Sequence, residues 1–301
     1  MKRLALVLSI LVAGILSAPF INAQSDGPPF NKLGNADLNI NFCTMGAVDL
    51  LLDVFYPDVA SGPVPVVMYV HGGGWRNGDK GAISRWGILP ELRSRGYLVV
   101  SVNYRLAPQF QFPAMIEDVK CAVRHLRAEA ETYGLDPSRI GAWGTSAGGH
   151  LVSLLGVTDG SEGWDETGQY LEQSSRVQVV VDMYGPIDLP AIYDRNHEAI
   201  LAAVYGASSA EDEILRIASP NTWISPDDPP VLMIHGDQDP VVPLEQSEIF
   251  LSALSSAGIP SKLVVVENGG HGFNNMTGPI NPGFEEITDI VSEFFDEWLR
   301  D

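Results

Sequence analysis

A serine hemmed in by glycines constrains this chain most. Residues 139–143, Arg-Ile-Gly-Ala-Trp, form a short run with strand character. Gly144-Thr145-Ser146-Ala147-Gly148-Gly149-His150 follows, and then Leu151-Val152-Ser153-Leu154-Leu155, a run able to continue a helix. Gly-x-Ser-x-Gly between a strand and a helix is the setting in which a serine is pushed out of a sheet into a cleft. So sharp a turn draws together the residues two before and two after the serine. Gly144 and Gly148 therefore answer a steric demand. The helix starts at the serine, so its first N–H groups, Ala147's foremost, have no intrahelical acceptor and face a place where negative charge would develop.

The turn sits in a longer alternation of strands and helices. Residues 38–42 and 48–56 read as a hairpin around Gly46. Residues 65–70, 97–103, 139–143, 177–184, 230–235 and 262–267 are β-rich runs, several of them continuously apolar as in strands buried on both faces. Between them, residues 84–95, 113–133 (closed by Gly134), 244–257 and 284–299 have helical spacing. This pattern predicts an α/β domain over residues 37–301, with a mostly parallel eight-stranded sheet and helices on both faces. Residues 186–229 are rich in Pro, Asp and aromatics without strand rhythm and are read as a cap-like insertion over the cleft.

The first residues have the composition of an export signal: Lys2 and Arg3, an apolar stretch over residues 4–16, and a small residue for cleavage after Ala23. Residues 24–36 then read as a leader with little structure. Export implies a secreted or periplasmic protein, and no later stretch is apolar for long enough to span a bilayer. The formal net charge of −20 argues against nucleic acid as a partner. Cys43 and Cys121 are the only cysteines. An oxidising compartment allows one disulfide between them, and sequence leaves open whether they meet. Two cysteines so far apart do not form a zinc pattern, and no metal or cofactor is expected.

A serine hydroxyl needs a base to take its proton, and the base needs an orienting carboxylate. His71 reads as a loop brace. After the serine come His150, His197, His235 and His271. His150 is placed to pack beneath the turn, His197 lies in the insertion, and His235 ends a strand. His271 stands in Gly269-Gly270-His271-Gly272-Phe273, where flanking glycines let the backbone carry the ring into a cleft, and is the expected base. The loop His235-Gly236-Asp237-Gln238-Asp239-Pro240 offers the acid. Asp239 is preferred to Asp237, which suits a turn cap, with Asp188 and Glu267 weaker candidates. His71-Gly72-Gly73-Gly74 follows an early strand, where backbone amides approach a substrate without a Cβ in the way. Gly73, Gly74 and Ala147 are the expected oxyanion donors. Trp75, Tyr104, Trp223 and Phe273 are candidates to line an acyl or sugar pocket.

These residues carry a resemblance. With Trp75-Arg76-Asn77-Gly78-Asp79-Lys80, Asn103-Tyr104-Arg105-Leu106-Ala107-Pro108 and Tyr184-Gly185-Pro186-Ile187-Asp188, they make the chain from about residue 45 onward similar to the α/β-hydrolase esterases of the hormone-sensitive-lipase type. It resembles more closely the bacterial branch that includes bifunctional carbohydrate and feruloyl esterases. The resemblance implies an α/β-hydrolase fold and a serine carboxylesterase with Ser146, Asp239 and His271 as nucleophile, acid and base. It also implies a small-molecule or carbohydrate ester as substrate, with acetyl and feruloyl groups among the candidate acyl parts. A peptidase of the prolyl-oligopeptidase type would share the three residues. The glycine loop at 72–74 and the lack of a propeller-sized extra domain argue against it. A non-catalytic binding protein on the same scaffold would lack one of the three.

Overall fold

The computed structural model describes residues 32–300, without the side chains of residues 194 and 195. The expected signal peptide and most of the leader lie outside the described residues. The hairpin is present: β1 (Ala36–Met45) pairs antiparallel with β2 (Val48–Phe55), and β1 already begins inside the expected leader. β3 (Val64–Val70) follows, then a 3-10 turn (Lys80–Arg85), α1 (Ile88–Ser94) and β4 (Leu98–Val102). A single helix was expected over 84–95. The backbone is instead extended at Trp86, which sends the indole between Trp143, Phe273 and Phe284. Next come α2 (Ala114–Ala128) and the one-turn α3 (Ala130–Tyr133), which Gly134 ends at φ 67°.

β5 (Leu135–Thr145) leads through Ser146 into α4 (Ala147–Gly156), and β6 (Val179–Met183) follows. The segment without strand rhythm is a string of short helices: α5 (Leu189–Ile192), a wide turn (Tyr193–His197), α6 (Glu198–Tyr205) and α7 (Glu213–Ile217). β7 (Val231–Gly236), α8 (Glu245–Ser256), β8 (Ser261–Val266) and α9 (Phe284–Leu299) complete the chain.

The strands form one sheet in the order β1-β2-β4-β3-β5-β6-β7-β8. From β4 to β8 all neighbours pair parallel, and β2 joins β4 antiparallel. All seven residues of β3 are buried, which explains their unbroken apolar character. The pleat sorts them between two cores. Val66, Met68 and Val70 face the side of α2, α4 and α8, while Val67 and Tyr69 face α1 and α9. No helix among the described residues is long and apolar enough to cross a membrane.

β1 is an edge strand with register shifts between Asp37 and Ile40 and between Asn41 and Cys43. Within the first shift Asn39 has φ 58°. Its N–H donates to Asp53 Oδ1, and the Lys80 ammonium reaches both Asn39 Oδ1 (2.9 Å) and Asp53 (3.0 Å). A disulfide joins Cys43 of β1 to Cys121 of α2, closing a sequence separation of 78 residues. Such a link restricts the unfolded chain, with a typical effect of about 2–4 kcal/mol. The Cys43→Ser, Cys121→Ser double variant is expected to lose stability of that order, read as a lower urea midpoint with a cooperative transition retained. An unchanged midpoint would count against the bond's forming in solution.

Candidate active site

β3 is followed in sequence by β4 on one side of it in the sheet and then by β5 on the other. The loops after β3 and β5 thus leave the sheet side by side at a switch point, where open α/β sheets form clefts. Ser146 sits there at φ 53°, ψ −121°, a backbone state that costs a non-glycine residue about 1–3 kcal/mol. Its N–H donates to Met183 O (2.8 Å) and its carbonyl accepts from His150 N (3.0 Å), so both flanks of the turn are held. The glycine reading is borne out sterically. A Cβ on Gly144 would overlap the Gly148 carbonyl, and one on Gly148 would overlap the carbonyls of Val70 and His71.

The structure brings Ser146, His271 and Asp239 together from loops after β5, β8 and β7. His271 Nε2 lies 2.9 Å from Ser146 Oγ, and Nδ1 lies 2.7 Å from Asp239 Oδ2. An ionised carboxylate only accepts, so Nδ1 carries the hydrogen and Nε2 is free to take one from the hydroxyl. Asp239's other oxygen accepts from the N–H groups of Val241 (2.8 Å) and Val242 (2.9 Å). Burial opposes the charge on Asp239. The imidazoles of His235 and His271 and the Val241 amide outweigh it, holding the carboxyl well below the usual carboxylate range. Asp237 is exposed and Asp188 caps α5 through Ala191 N, so neither meets the imidazole.

The other histidines are held elsewhere. His235 donates from Nε2 to Val242 O and accepts at Nδ1 from Ser247 Oγ, which braces the loop that carries Asp239. His150 is fully buried under the turn. Its Nε2 donates to Ala218 O and its Nδ1 accepts from Trp75 Nε1, and burial pushes its pKa down to about 4. His71 stacks on Tyr104 at 4.4 Å, and the Tyr104 hydroxyl donates to His71 O.

A cleft of about 1070 Å³ opens over Ser146 and His271, with Gly73 and Gly74 in its wall. Gly73 has φ 124° and Gly74 φ 58°, so the chain folds back on itself there. Among the described residues, the N–H groups of Gly73, Gly74 and Ala147 have no protein acceptor. The four aromatics expected in the pocket are placed differently. Trp75 is buried with its N–H on His150, and Tyr104 is buried on His71. Trp223 donates to Ile217 O and packs on Trp164, and Phe273 is fully buried between Trp86 and Tyr184. The polar N–H and O–H groups of the first three have partners inside the protein, and the cleft is lined instead by Tyr69, Trp86, Tyr184 and Phe284. Tyr184 was legible only as part of the family pattern. It directly follows β6, beside the strand that leads into Ser146, and its ring lies edge-on to His271 at 4.8 Å.

The 186–229 segment packs against the turn and the glycine loop. Tyr205 of α6 meets Trp75 and His150, and Ile200 Cδ1 abuts Gly74. The cleft lining draws no residue from it. Among the described residues no cluster of three or more His, Cys, Asp or Glu is arranged to hold a metal ion.

An α/β-hydrolase sheet with a serine–histidine–aspartate relay at its switch point defines the class. Within it, the chain belongs to the BD-FAE family, whose sequence profile matches residues 52–254. Esterase LipC of Mycobacterium tuberculosis is 33% identical over 236 residues, 76% of this chain and 58% of the relative. The chain spans about half the length of the curated relatives it matches. Among solved structures, a truncated carbohydrate esterase from gut microbiota is 29% identical with a TM-score of 0.74, covering 90% of this chain and 99% of that one. An acetyl ester-xyloside bifunctional hydrolase from Caldicellulosiruptor lactoaceticus is 27% identical with a TM-score of 0.68, covering 83% and 87%.

Under the turn, Asp182 of β6 is completely buried. One oxygen accepts from Gly185 N (2.9 Å) and the other has no partner among the described residues. Burial outweighs the opposing pull of His235, the Gly185 amide and the nearby Ser153 hydroxyl and pushes the carboxyl up to about 6. The folded chain therefore keeps a proton between about pH 4 and 6 that the unfolded chain has lost. The contribution of this group to stability falls as pH rises through that window and is flat above it. The Asp182→Asn variant lacks this loss. Its stability relative to the parent should improve by about 2–3 kcal/mol from pH 4 to pH 6.5 in urea titrations. A difference that does not change with pH would mean that the buried carboxyl titrates normally.

Proposed function

We propose that this chain is an exported serine esterase that hydrolyses carboxylic esters, acyl esters of carbohydrates among them, through an acyl-enzyme. The observation that carries the reading is the Ser146–His271–Asp239 relay opening on a cleft walled by acceptor-free amides. Ser146 Oγ attacks the ester carbonyl while His271 Nε2 takes the hydroxyl proton. Oxygen becomes negative in the tetrahedral species, facing the N–H groups of Gly73, Gly74 and Ala147. The C–O bond to the alcohol then breaks, and the alcohol leaves with the proton from Nε2. Water repeats the sequence on the acyl-enzyme, giving up a proton to His271 and releasing the acid and free Ser146. Asp239 holds the tautomer and stabilises the imidazolium. The names of the solved relatives, a carbohydrate esterase and an acetyl ester-xyloside hydrolase, support a sugar ester as substrate. The basic, apolar start of the chain with a small residue at Ala23 supports export.

Hydrolysis of p-nitrophenyl acetate tests the reading. Ser146→Ala and His271→Ala are each expected to lower kcat by about 10⁴-fold or more, and Asp239→Asn by a similar factor. A fluorophosphonate probe should label the parent and not Ser146→Ala. Turnover of proline-containing peptide amides without turnover of esters would replace this reading with a peptidase, and absence of labelling would replace it with a binding role. For the export reading, the protein recovered from outside the cytoplasm should begin at Gln24. Recovery with residues 1–23 intact would remove that part.

A further inference from the structure

The 3-10 turn after the glycine loop ends on the cleft with Arg85 as its last residue. Two arginines among the described side chains, Arg76 and Arg85, have neither a hydrogen bond nor an ion pair, and only Arg85 borders the cleft. The others are engaged. Arg93 holds Asp58, Arg105 holds Asp118 and Glu117, Arg124 holds Asp165, and Arg127 is spent on three carbonyls. Arg85 is exposed, so its guanidinium is open to a ligand entering from solvent. The acids that line the adjoining groove, Glu91, Glu285 and Asp289, make no ion pair with it, Glu91 is taken by Arg95, and Asp79 in the cleft lining accepts from Gly81 N and Asn103 Nδ2.

Arg85 also stands at a junction. Arg85, Trp86 and Phe284 line both the catalytic cleft and a neighbouring groove of about 470 Å³. Phe284 is 54% exposed, and its ring lies 6.4 Å from that of Trp86. Exposed aromatic faces accept the C–H face of a sugar ring, while a guanidinium fork matches a carboxylate in two parallel hydrogen bonds. The charge of Arg85 is felt inside the cleft, where it pulls against the burial that raises the Tyr69 phenol.

We propose that Arg85 binds a carboxylate on the sugar part of the ester, with the ring against Trp86 and Phe284, so that the enzyme's substrates are acyl esters of uronic acid units. This rests on the esterase reading above. The protein's overall negative charge does not exclude an anionic substrate. Charges more than a Debye length of about 8–10 Å away are largely screened, and the contact with Arg85 is direct.

The test compares acetate release from mono-acetylated methyl glucuronide and mono-acetylated methyl glucoside. The ratio of their kcat/KM values is the readout, which cancels any loss of folded enzyme. The parent is expected to favour the glucuronide by about tenfold or more, the range of a charge-assisted hydrogen bond, and less so as salt is added. Arg85→Gln should bring the ratio to about one. Arg85→Lys, which keeps the charge and loses the fork, should fall between. A parent ratio near or below one, with p-nitrophenyl acetate still hydrolysed, overturns this inference and leaves the esterase reading standing. A parent ratio that survives in Arg85→Gln also overturns it. A parent that hydrolyses no ester removes both.

Discussion

The structure depends on a contact that only glycine permits. The backbone turns so tightly at Ser146 that Gly144 and Gly148 meet each other, and Gly148 meets the end of β3. That approach fixes three things together. It holds Ser146 at a positive φ with its side chain in the cleft. It starts α4 with its amide donors at the same point. It also docks the helix against the strand whose next loop carries Gly73 and Gly74. Ser146 and the amides of Ala147, Gly73 and Gly74 are therefore placed by one steric event, and the sheet absorbs its strain because β3, β6 and residues 140–145 of β5 are buried on both faces.

Around that point the histidines divide their labour by the partners they are given. His271 keeps one nitrogen for Asp239 and leaves the other for Ser146. His150, Nε2 on Ala218 O and buried to the point of staying neutral, supports the turn from beneath and ties it to Trp75. His235 anchors the acid's loop. Each tautomer follows from a neighbour that can only accept or only donate, so no ring can exchange roles without a backbone shift.

Where local rules decide conformation, the sequence was readable. Gly144-Thr145-Ser146-Ala147-Gly148 announces its turn because no other residues fit, and the alternation of apolar runs announces a sheet covered on both faces. Asp239 and His271 were legible because each lies in a loop following a strand of that sheet. Facing was not legible. Trp75 sits beside the glycine loop and Phe273 beside His271, yet both rings turn into the interior, Trp75 because His150 accepts its N–H. Trp86 reads as one residue of a helix until the extended backbone there sends it toward the cleft. Periodicity reports which residues are apolar. It does not report which of two apolar faces borders solvent when both are packed.

The irregular outer strand has a bearing on how copies of this protein meet. A straight edge offers a neighbour a ladder of free amides and carbonyls at even spacing. β1 is not straight: its register with β2 is broken twice, and Asn39, held at φ 58° on Asp53 and Lys80, bends the ladder out of step. Lys80 also opens the 3-10 turn that ends at Arg85. The break in this outer strand is thus tied through Lys80 to the rim of the cleft, and a change that straightened the strand would also loosen that rim.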